Sequence, residues 1–224
     1  MAFGSVRRMG RRLLSGRRPA VRYLILIRVT IPEITEMMQD LASTFSLSPS
    51  DRRMPHITLF GPFTLSEPWS ARDVTGCIEL ASEKIRDPRY SLKEILELQG
   101  RKGKAIVCRV MVSGDLMKAY QEISSCLLPL AGCCTWLDRE PGKRVVHITL
   151  AFNLPSALAC RVKEYLVKNG TWKEAPDQEK TSPPGPGAHQ VSGIAVLRNG
   201  MLWKEYDLSR RTWFKRKELY PLFH

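Results

Sequence analysis

Long apolar stretches are missing from this chain. The run Tyr23 to Ile27 near its start is bounded by Arg22 and Arg28, far short of the roughly 20 apolar residues a membrane helix needs. Cys-x-x-Cys pairs are missing as well. The six cysteines, Cys77, Cys108, Cys126, Cys133, Cys134 and Cys160, follow no apolar signal segment and include an adjacent pair badly spaced for zinc. They read as reduced thiols in a cytosol-like compartment, without structural metal or cofactor. Acids are scarce: 35 Lys and Arg face 22 Asp and Glu, a net charge of +13. Six of the arginines (Arg7, Arg8, Arg11, Arg12, Arg17, Arg18) fall in residues 1–20, which hold no acid. Without them the remainder still carries +7, a surplus that favours a polyanionic partner such as RNA.

The composition, 43% hydrophobic and 25% charged, suits a chain with a buried core. Residues 1–20 read as a basic, disordered arm in preference to a transit peptide or a functional extension. Residues 21–208 form the folded unit, and residues 209–224 a basic and aromatic tail. Branched apolar residues from Val21 to Ile31 predict a buried strand, and Pro32 then opens a helix whose face is Ile34, Met37, Met38, Leu41, Ala42 and Phe45. His56 to Phe60 is a short strand closed by Gly61-Pro62. A helix over Trp69 to Arg86 follows, then strands Tyr90 to Leu98 and Ala105 to Val112 joined by a basic hairpin tip.

The second half repeats this order: a helix near Asp115 to Leu130, a loop through Asp138 to Gly142, a strand Val145 to Leu150 and a helix Ser156 to Lys168. Residues Glu174 to Gly187 have loop composition. Asn199-Gly200 marks a hairpin between Val191 to Leu197 and Met201 to Leu208, which completes a sheet.

His-Ile-Thr-Leu occurs twice, at 56–59 and 147–150. One His-x-Thr is weak, but two identical copies between a loop and a helix point to a duplicated β-α unit. Alternation along a strand sends His and Thr to one face, roughly 7 Å apart, and Ile and Leu to the other. His56 and His147 can then take and give a proton near neutral pH, while Thr58 and Thr149 donate to phosphate oxygens. That is a phosphodiester chemistry that requires no metal. Phe60, Phe63 and Phe152 lie just beyond the motifs, where a base could stack or the core could be covered. Of these, Phe60 and Phe152 are the candidate substrate contacts. His189 and His224 lack a Thr two residues on and read as loop and terminal residues.

On these paired motifs the sequence resembles the two-histidine phosphoesterase superfamily over about residues 21–208. Its members include RNA 2′,3′-cyclic phosphodiesterases and 2′-5′ RNA ligases. The resemblance implies an α+β fold of two pseudo-symmetric β-α lobes, with antiparallel sheets flanking a central cleft and helices outside. It carries His56, Thr58, His147 and Thr149 over as the catalytic set. Phe60 stands where many RNA-processing relatives have a basic residue, so RNA and a smaller cyclic phosphate both stay open as substrates. The leading expectation is a cytoplasmic, monomeric enzyme that hydrolyses a 2′,3′-cyclic phosphate without touching a membrane. The alternatives are 2′-5′ ligation or cleavage by the same four groups, and a non-catalytic RNA-binding module. The residues do not say which histidine is acid and which is base.

Overall fold

The computed structural model describes residues 20–47, 54–100, 102–169 and 187–215. The arm at 1–20, the Pro-rich stretch at 174–187 and the last residues of the tail fall almost wholly outside these. Among the described residues ten strands form one antiparallel sheet: β1 Arg22–Arg28, β2 His56–Leu65, β3 Arg89–Gly100, β4 Gly103–Val112, β5 Ala131–Cys133, β6 His147–Leu154, β7 His189–Gln190, β8 Gly193–Arg198, β9 Met201–Asp207 and β10 Thr212–Lys215. Their order is β10-β9-β8-β1-β2-β6-β4-β3-β7, with β5 on β2. The predicted pair of sheets is thus a single sheet. Its two halves meet where β2 and β6 are paired at one position, Ile57 against Ile148.

Helices α1 Pro32–Thr44, α2 Ala71–Glu83, α3 Gly114–Leu127 and α5 Ser156–Asn169, with the short α4 Trp136–Arg139, complete the fold. Pro32 does occupy the first turn of α1, where its missing N–H costs nothing. Ser70 and Asp73 form a reciprocal capping box on α2. The buried faces of the four long helices, with Ile34, Ile78, Ile123 and Val162 among them, join one core with Ile25, Ile27, Ile57, Leu59, Ile148 and Leu150. These helices therefore cover the sheet face to which Ile57 and Ile148 point. The opposite face carries the histidines and threonines, flanked by buried Leu26 and Val107.

The sheet departs from the predicted boundaries in several places, and His189, read as a loop residue, lies in β7 opposite Tyr90. β2 does not stop at Phe60 but runs through Gly61-Pro62 to Leu65, pairing with β1 as far as Thr64. Residues 212–215, assigned to the tail, pair with β9, and Trp213 packs its ring edge-on to Tyr206 at 5.1 Å. The Asn199-Gly200 turn is present, with φ of 51° and 80°. Positive φ at both positions is the backbone such a two-residue hairpin requires.

Candidate active site

His56 and His147 open their strands, and each is fixed by the same local bond. His56 Nδ1–H donates to the Met54 carbonyl at 2.9 Å, and His147 Nδ1–H to the Val145 carbonyl at 2.7 Å. A carbonyl only accepts, so Nδ1 carries hydrogen in both rings and Nε2 becomes the nitrogen that gains or loses the working proton. Both side chains are half-buried.

The register between β2 and β6 sets how the four residues meet. With Ile57 opposite Ile148, one step either way sets His56 across from Thr149 and Thr58 across from His147. Directly opposed side chains share a face and lie about 5 Å apart at Cβ. In keeping with this, His56 and Thr149 line one pocket.

Burial pushes the His147 pKa below its ordinary value, and the positive charges of Arg144 and His56 push it the same way, while the bond to Val145 opposes them. The coupling to His56 means that the two rings sense each other's charge. Protonation of one disfavours protonation of the other.

Phe60 is not at the site. It is fully buried in the core, edge-on to Phe63 at a centroid distance of 5.0 Å. The cause is a break in strand alternation. Leu26 pairs with Thr58 but Ile25 pairs with Phe60, a register shift that sends both Leu59 and Phe60 to the core. β6 has the same shift: Val107 pairs with Thr149 but Ile106 with Ala151, and both Leu150 and Ala151 are core residues. The counterpart of Phe60 is therefore Ala151, and Phe152 matches Gly61. Phe152 lies at a pocket that His56 also lines. With Met38, Met54, His56, Ala105, Thr149 and Leu150 it lines a pocket of about 180 Å³.

Asp138 is the residue that sequence reasoning missed, in a segment read as loop. It is 1% exposed. Its Oδ1 accepts from Gly61 N–H of β2 (3.0 Å) and Arg144 Nη2 (2.6 Å), and its Oδ2 from Thr135 N–H (2.9 Å) and Thr135 Oγ1 (2.6 Å). The guanidinium of Arg144 also lies 5.7 Å from the Tyr120 ring centroid. One carboxylate thereby ties β2 to the segment that leads into His147. The sequence signal was Thr135-x-x-Asp138, a capping box opening α4.

Among the described residues no group of three or more His, Cys, Asp or Glu is disposed to hold a metal ion. No described helix is long and apolar enough to cross a membrane.

No family model and no curated protein matches the chain. Among solved structures it is similar to a crystal structure described as a phosphoesterase, with 16% identity, a TM-score of 0.46, and coverage of 84% of this chain and 98% of the other. It is also similar to E. coli LigT in apo form, with 14% identity, a TM-score of 0.42, and coverage of 88% and 94%. Whatever chemistry the site performs has to follow from its own residues.

Proposed function

We propose that this chain is a phosphoesterase that opens a 2′,3′-cyclic phosphate, at an RNA end or on a small nucleotide, by paired-histidine acid–base catalysis without a metal. The observation that carries this reading is the pairing of Ile57 with Ile148, which joins the two His-Ile-Thr strands, together with the charge coupling between His147 and His56. The two strands act as pseudo-symmetric half-sites, each supplying one proton carrier.

The lowered pKa of His147 suits the neutral imidazole, so His147 is the base. Its Nε2 takes a proton from water as the water oxygen bonds to phosphorus. The bond from phosphorus to one ring oxygen breaks, and His56 Nε2–H protonates that leaving oxygen. The product is a phosphomonoester beside a free hydroxyl, and proton exchange with solvent resets both rings. Thr58 and Thr149 donate to the non-bridging oxygens as their charge grows. The apolar pocket of Met38, Met54, Leu150 and Phe152 receives the base.

The test is turnover of nucleoside 2′,3′-cyclic phosphates by the purified chain in the presence of a chelator, followed by chromatography of the monophosphate. His56→Ala or His147→Ala should each cut turnover by about two to four orders of magnitude. Thr58→Ala and Thr149→Ala should cost less. Salt-sensitive RNA binding with no turnover, unchanged in His56→Ala, would replace the enzyme with a binding module.

A further inference from the structure

Two arginines stand at corresponding places beside the two histidines. Arg28 of β1 pairs in register with His56, and Arg109 of β4 pairs with His147. Directly opposed residues of antiparallel strands share a face, so both guanidiniums emerge on the face that carries the four site residues. Neither was singled out by the motifs, because the two arginines lie on other strands and only the sheet register brings them alongside.

The two differ in what holds them. Arg28 is gripped by Glu205 through both Nε (3.0 Å) and Nη2 (2.7 Å), with the side chains only 13% and 7% exposed. That geometry is a buried structural pair. Arg109 meets Glu94 through Nη1 at 2.9 Å, and these side chains are 38% and 36% exposed. A guanidinium has five donor hydrogens, so this ion pair orients Arg109 and leaves further donors directed to solvent beside His147.

We infer that Arg109 binds a second phosphate of the substrate and makes the enzyme selective for a nucleotide that carries one beside its cyclic phosphate. This rests on the cyclic-phosphate reading and adds a direction to it. Ala105, at the base pocket, and Arg109 are four residues apart on β4, roughly 13 Å. Base, reacting phosphorus and second phosphate then lie in sequence along the site, the last on the His147 side. The half-exposed Arg109 can meet either a terminal phosphomonoester or the phosphodiester of a preceding nucleotide.

The test compares kcat/KM for a nucleoside 2′,3′-cyclic phosphate, the same compound with a 5′-phosphate, and a dinucleotide ending in the cyclic phosphate. The wild-type chain should favour at least one phosphate-bearing substrate over the bare nucleoside by about tenfold, the yield of one charge-assisted hydrogen bond. Whichever of the two is favoured identifies the source of the second phosphate. Arg109→Gln should bring that ratio close to one. Glu94→Gln, which removes the competing carboxylate, should keep or raise it. Equal turnover of all three substrates by wild type would overturn the inference and leave the cyclic-phosphate reading standing. An Arg109→Gln variant that slows all three alike, with the ratio retained, would also overturn it. No turnover of any of them sinks both.

Discussion

Replacing Asp138 by Asn tests whether the carboxylate that bridges β2 and the approach to His147 holds the site together. The Asn keeps the volume but loses the charge opposite Arg144, whose side chain is only 7% exposed. Its amide must also turn an N–H toward one of the donors that Asp138 now accepts from. Removing one partner of a buried ion pair costs about 3 to 5 kcal/mol, because the remaining charge is stranded. At about 3 kcal/mol, a chain of this size should melt roughly 6 to 12 °C lower. Urea denaturation read by tryptophan fluorescence and by far-UV circular dichroism gives the free energy. The double variant Asp138→Asn/Arg144→Met is the control, since it removes the stranded charge. It should be more stable than Asp138→Asn alone, so the two losses should not add. A loss below about 1 kcal/mol for Asp138→Asn, or simple additivity in the double variant, would refute the reasoning.

Two further outcomes follow from the same geometry. The folded pKa of His147 is held below that of the unfolded chain, so as pH falls through about 6.5 the unfolded chain binds the proton first and stability declines. The acidic limb of kcat/KM should accordingly lie below that pH, and NMR titration should show His147 moving upward in His56→Ala as the repulsion is lost. A limb above 6.5 would contradict the assignment of His147 as base. Gly61→Ala should cost about 1 to 3 kcal/mol. Gly61 has φ of +98°, and an added Cβ would lie 3.0 Å from the Tyr23 carbonyl oxygen and 3.1 Å from the Phe63 ring. An unchanged denaturation midpoint would argue against that strain.

Much of this arrangement is legible in the sequence, and the features it does not reveal share a cause. Pro32, Asn199-Gly200 and the alternation in His-Ile-Thr-Leu are local signals, decided by the chain within a few residues. The misassigned features depend on partners far away. The position of Phe60 follows from a register shift against Ile25, which no periodicity within β2 reveals. Asp138 bonds to Gly61, 77 residues away. His56 and Thr149 share a pocket because Ile57 meets Ile148. The four expected histidines and threonines do share the paired strands, but the way they are matched is a property of the sheet.

That matching bears on how such a site can be taken apart. If each proton carrier relies on a hydroxyl lent by the opposite copy of the motif, neither copy is a small enzyme in its own right. Separately expressed halves, even if both folded, would have to reunite edge to edge through Ile57 and Ile148 before either could work.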